Sequence, residues 1–232
     1  MKRFMLTAVL MAAAMMFSFP ASAHAASPGW SSANGEWYFF NGDGSPANGV
    51  QVINGEAYTF DTSGRMVLDG VHIDGLEDDL LEKAYVTTAE NWDQILLALD
   101  DLNRARAESG VGPVALDYGL CIVSAYRAAH LIKHDYASHW KSDGTFYAEE
   151  TATLLFGNET APSEVLVREG SNYPLKYTID RIRTSSFIKL MKSDGHRRTM
   201  LKPVNTRVGI GAVLVNDAST GMYSFVFLEN FL

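Results

Sequence analysis

The spacing of apolar residues divides the chain into stretches of different period. Residues 4–19 are apolar almost throughout; Lys2 and Arg3 precede them and Pro20 ends the run. From Gly29 to about Gly70, short alternating pieces such as residues 37–40 sit between turns rich in Gly and Asn, the pattern of hairpin strands. Helical spacing takes over from about Thr87. Thr87 and Glu90 fit a capping box, Ile95, Leu96, Leu99 and Leu102 recur on one face, and Gly110 ends the element. Asp117 caps a second predicted helix reaching about His134, with Cys121, Ala125, Ala128 and Ile132 on its apolar face. Residues 165–167 read as a short strand and residues 178–192 as a third helix. Two strands, 208–215 and 223–228, flank a turn-rich segment at 216–221. Helices first and an antiparallel hairpin last predict an α+β fold.

The opening run adds a compartment. A basic start, a short apolar stretch and Ala21-Ser22-Ala23 have the layout of a secretory signal peptide over residues 1–23, cleaved after Ala23 or Ala25. The run is shorter than the roughly 20 apolar residues that cross a bilayer, so no transmembrane anchor is expected. The expected location is extracellular, secreted or associated with the cell wall. The formal charge is -8, and losing Lys2 and Arg3 with the leader makes the remainder more acidic still. Such a chain lacks the clustered cations that nucleic acid requires, which excludes that partner class. Cys121 is the single cysteine, so no internal disulfide can form. Its apolar helical surroundings predict a buried, inert thiol rather than a nucleophile.

Residues 29–75 repeat themselves at an offset of 20. Gly29 matches Gly49, Asn34-Gly35-Glu36 matches Asn54-Gly55-Glu56, Tyr38 matches Tyr58, Phe40 matches Phe60 and Gly44 matches Gly64. A partial third copy begins at Val71-His72-Ile73-Asp74-Gly75. The segment resembles the choline- and glucan-binding repeats of bacterial surface proteins, whose aromatic side chains cage a ligand. That resemblance implies Trp30, Trp37, Tyr38, Tyr58 and Phe60 as binding candidates, and cell-wall choline or glycan as the partner, held by cation–π attraction or ring stacking. Val50 stands where a second copy of Trp30 would be. The competing expectation is a stalk packed on the main domain. Residues 76–91 read as a linker and residues 92–232 as the main domain.

Several short motifs of the main domain carry a second resemblance. Leu102-Asn103-Arg104-Ala105-Arg106 with Gly110, then Arg127-Ala128, lead to Ser138-His139-Trp140-Lys141-Ser142-Asp143-Gly144. Ser193-Asp194-Gly195-His196-Arg197 follows, with Leu201 and Pro203, and then Val208-Gly209-Ile210-Gly211. In this order they resemble the CAP superfamily of cysteine-rich secretory, antigen-five and pathogenesis-related proteins, in its bacterial SCP-like branch. The implied fold is the CAP α-β-α sandwich, here with a small β-hairpin repeat region in front. In that family two histidines and one or two glutamates line a cavity that binds a divalent metal in many members, and the matches are His139 and His196. The intervening Gly-Glu-Asn-Ile motif is best matched by Glu169 in Arg168-Glu169-Gly170-Ser171-Asn172, with Glu159 as the alternative. The preceding glycine is absent, and a second family glutamate has no match in residues 178–192.

Two imidazoles and a carboxylate suit zinc and leave a position open for water or a ligand. Family members outside bacteria bind lipids and sterols, which implies a small apolar ligand as another occupant. His130 and His134 stand at the i, i+4 spacing of a helical zinc site, but Leu131 replaces the glutamate of His-Glu-x-x-His. Both fall beside Tyr126, Arg127 and Lys133, which reads as a solvated helix face. No Gly-x-Ser-x-Gly elbow and no phosphate-cradling loop is present. The expectation is a non-catalytic module whose His/Glu cavity binds a metal or small ligand. The alternative is a zinc-dependent hydrolase of peptide or cell-wall substrates, with Glu169 as general base.

Overall fold

The computed structural model describes residues 28–53, 56–61, 63–67, 73–156, 162–171, 179–217 and 222–232. The expected leader, Glu159 and the start of the third repeat at Val71 and His72 lie outside the described residues.

The Asn-Gly signal makes its hairpin. Strands β1 (Gly29–Ala33) and β2 (Glu36–Phe40) pair antiparallel with Ala33 opposite Glu36, so Asn34 and Gly35 alone turn the chain. Their φ values of 55 and 78 are the left-handed pair that a two-residue type I′ turn demands. Strands β3 (Gly49–Ile53) and β4 (Glu56–Phe60) repeat this register. Successive units clasp each other, because the Met66 N–H donates to the Trp37 carbonyl at 2.8 Å.

The hairpins do not stand off from the rest of the chain. Trp37 is 1% exposed, and its indole N–H donates to the Tyr85 carbonyl at 2.9 Å. Trp30 stacks on Tyr118 with centroids 4.2 Å apart, and Trp37 meets Trp92 edge-on at 4.8 Å. The repeat aromatics and the helices thus share one apolar core.

Helix α1 (Asp78–Glu90) occupies most of the expected linker, and α2 (Trp92–Glu108) follows after Asn91. Thr87 and Glu90 therefore do not start a helix. Leu80, Leu81, Ala84, Thr88 and Ala89 are all buried, and that apolar stripe carries α1 straight through the capping signal. Gly110 ends α2 with φ 71 as expected. Asp117 caps α3 (Tyr118–Lys133) by accepting from the Leu120 N–H. The short helices α4 (Tyr147–Phe156) and α6 (Asp194–Met200) were not legible in the apolar spacing, whereas α5 (Ile179–Lys192) was.

A four-stranded sheet runs β5 (Ala115–Leu116), β7 (Arg207–Asp217), β8 (Met222–Phe231), β6 (Ser163–Ser171), with β5 parallel to β7 and the other pairs antiparallel. Helix α3 lies on one face. It comes so close that a Cβ on Gly209 would stand 2.0 Å from the Leu120 backbone, and one on Gly211 2.4 Å from that of Ala125. The other face, with Val165, Val208, Ile210 and Phe231, packs on Ile95 and Leu102 of α2, Leu190 of α5 and Met200 of α6. This is an α+β fold, a sheet between two helical layers as the CAP resemblance implies, with the small hairpins attached to the α1–α3 side.

Candidate functional site

His139 lies just past α3, and its position is set from three directions. The Asp143-Gly144 turn folds residues 141–145 back so that Trp140 bridges Phe146, and the His139 carbonyl accepts from the Tyr147 N–H at 3.0 Å. The ring is fixed by a residue that no motif announced: Nδ1 of His139 is 2.7 Å from Oε1 of Glu164 on β6. Glu164 is fully buried, and Arg127 of α3, equally buried, donates to both of its oxygens at 3.2 and 3.3 Å. Arg127 also donates to the Tyr136 hydroxyl at 2.5 Å and the Ser138 carbonyl at 3.2 Å, and lies over the Tyr147 ring at 4.5 Å. A buried charge pair is tolerable only when its remaining hydrogen-bonding capacity is met, and here it is.

His196 sits on α6 and is partly buried. Its pKa is lowered, first by burial and second by the charge of His139. Glu169, also on β6, forms an exposed ion pair with Lys189 of α5. The carboxylate hydrogen-bonded to His139 is Glu164. Glu164 lies in Ser163-Glu164-Val165, which lacks the glycine and asparagine used to look for it. Its one sequence signal is a carboxylate in line with the buried strand positions that follow.

The signature at residues 102–110 has a mechanical role. Arg106, fully buried, donates to the carbonyls of Gly112, Met200 and Asn205 at 2.7, 2.7 and 3.2 Å. It thereby ties α2 to the loop after the His196 helix. Cys121 is buried and accepts from the Ile210 N–H, and burial pushes its thiol up to about 12, which makes it inert as expected.

The face of α3 that carries His130 and His134 is solvated only in part: His134 is exposed, His130 is partly buried, and Tyr126 and Arg127 are buried. Tyr126 packs in the core shared with α1, whereas Arg127 is buried against Glu164, Tyr136 and Tyr147. The Tyr126 hydroxyl accepts from the Glu77 N–H at 3.0 Å, which brings Glu77 onto the histidines. Glu77, His130 and His134 present donor atoms all within 4.8 Å of one another, a group that could hold a metal ion. A cavity of about 190 Å³ adjoins it, lined by Gly75, Tyr126, Arg127, His130, Lys141 and Tyr147 among others, and not by His139 or His196.

Residues 99–231, more than half of the chain, match the family model described as CAP: Cysteine-rich secretory protein family. The chain belongs to this CAP family. Among solved structures it is similar to an outer surface protein from Borrelia burgdorferi, at 13% identity and a TM-score of 0.42, covering 60% of this chain and 92% of that one. An extracellular protein containing a SCP domain from Bacillus anthracis gives 15% identity and 0.42, covering 85% of this chain and 58% of the other. A cysteine-rich secretory protein from Staphylococcus aureus gives 14% and 0.33, with 86% and 64% covered. This chain therefore spans less than two thirds of the latter two proteins. No curated protein matches it. Among the described residues of this CAP protein, no helix is long and apolar enough to cross a membrane.

Proposed function

We propose that this CAP protein is an exported binding module that uses the His139–His196 cavity to take a divalent metal or a small ligand, without catalysing a reaction on it. The observation that carries this reading is the role of Glu164. Its oxygens are committed to Arg127 and to Nδ1 of His139, and its side chain is fully buried. A carboxylate held in this way orients an imidazole, as partners of metal-bound histidines commonly do, and leaves Nε2 of His139 as the outward donor. It is not placed to serve as a general base, which must reach the proton it removes. With Glu169 paired to Lys189 as well, the donors left in the cavity are the two imidazoles. That set fits a zinc ion completed by water or by ligand atoms better than a closed three-residue centre. Trp140, 57% exposed beside His139, offers an apolar surface to an organic ligand in the same place.

For the hairpins, the packing of Trp30 and Trp37 on Tyr118 and Trp92 favours a structural role over an open aromatic cage for choline or glycan. Export rests on the leader-like residues 1–23.

The test is calorimetric titration of zinc into the metal-stripped protein beside His139→Ala and His196→Ala variants, with folding verified by circular dichroism. A binding event lost in both variants supports the reading. Peptide or wall-polymer hydrolysis that His196→Ala abolishes would replace it with the hydrolase alternative.

A further inference from the structure

We propose that Glu77, His130 and His134 form a second divalent-metal site, of zinc-binding character, that clasps the start of α1 to the end of α3. It is separate from the His139–His196 cavity and does not depend on it. The two histidines are one helical turn apart, with ring centroids 4.3 Å from each other. The third donor arrives from 57 residues before His134: Oε1 of Glu77 is 2.6 Å from Nε2 of His134 and 3.4 Å from Nε2 of His130. One carboxylate oxygen thus faces the same nitrogen of both rings, as ligands around a common centre do.

The spread of donor atoms fits the ion. Tetrahedral zinc with bonds of about 2.0–2.1 Å sets its donors roughly 3.3 Å apart, a spacing that small side-chain rotations reach from a cluster no wider than 4.8 Å.

The surrounding partners are those a ligand set needs. Oε2 of Glu77 accepts from Lys133 at 2.7 Å, and Lys133 also pairs with Asp79, so the ammonium holds the carboxylate by one oxygen and leaves Oε1 to the histidines. Nδ1 of His130 lies 2.8 Å from the Tyr136 hydroxyl. That hydroxyl already accepts from Arg127, and its second lone pair can accept the Nδ1–H of an imidazole that gives Nε2 to a metal. His130 is partly buried. The Tyr126 hydroxyl fixes the Glu77 backbone against α3. Two histidines and one carboxylate of borderline softness select zinc over magnesium or calcium, and three protein donors leave one position for water or a ligand.

Zinc chloride titrated into metal-stripped His196→Ala protein at pH 7 isolates this site. One equivalent should bind, weaken at least tenfold in His134→Ala and in Glu77→Gln, and weaken again, with the site intact, in Tyr136→Phe. His134 is 43% exposed, so its loss should leave the fold in place. Zinc should also raise the thermal midpoint of the His196→Ala protein and not that of the His134→Ala/His196→Ala protein. Absence of binding in the His196→Ala protein overturns the proposal, as does binding that His134→Ala and Glu77→Gln leave unchanged. Wild-type titration in parallel reports separately on the His139–His196 cavity.

Discussion

Nδ1 of His139 and Oε1 of Glu164 stand 2.7 Å apart, joined across 25 residues where β6 meets the segment that follows α3. The same carboxylate neutralises Arg127, so one buried glutamate fixes a histidine and satisfies a buried cation together.

That double duty makes Glu164 and Glu169 unequal. Glu164→Gln leaves the Arg127 guanidinium buried without its counter-charge and should cost about 3–5 kcal/mol in urea unfolding. Glu169→Gln breaks an exposed pair with Lys189 and should cost no more than about 1 kcal/mol. Equal costs would show that Glu164 is not the buried counter-charge of Arg127.

Glu229 supplies a pH dependence. It is buried on β8 between Val165 and Ile210 of the neighbouring strands, neither oxygen has a partner among the described residues, and burial raises its pKa to about 8. The folded chain therefore holds a proton that the unfolded chain releases near the ordinary glutamate value of 4.5. Stability from this group is complete at acid pH, falls by about 1.4 kcal/mol per unit as pH rises from about 5 to 8, and levels off above. Glu229→Gln should flatten that decline and stabilise the protein at pH 8. Denaturant melts at pH 5, 6.5 and 8 for both proteins decide it, and parallel pH profiles would refute the assignment.

The contact between α3 and β7 predicts a strong effect from one methyl group. Gly209→Ala places a Cβ inside the Leu120 backbone, which cannot move without displacing α3, so the variant should lose about 3 kcal/mol or more. Gly112→Ala meets nothing within 4 Å and serves as the control in the same unfolding experiment.

If the hairpins are built into the core, truncating their aromatics should destabilise the whole molecule. Trp37→Ala removes a 1%-exposed indole and should cost about 3–5 kcal/mol in a single transition. A separate early transition, with the main one unchanged, would mean that the hairpins fold as an independent appendage.

The helix with Gly110 at its end, the Asp117 cap, the Asn34-Gly35 turn and the closing hairpin were all written in local sequence, because each depends on neighbours within a few positions. The order of motifs around His139 and His196 likewise made the CAP fold legible. What local pattern misjudged was decided by packing. Thr87 and Glu90 have the chemistry of a helix start, yet the apolar stripe from Leu80 to Ala89 had α3 to lie against, and α1 runs through them. Glu164 carries no motif, and Glu77 falls in a stretch, residues 76–91, that reads only as a linker. A carboxylate becomes a partner of a histidine only when the chain returns to it from 25 or 57 residues away. Residue types and spacing named the candidate histidines. The tertiary structure alone decided which glutamates meet them, since strand register and helix contacts bring together donors that sequence distance keeps apart.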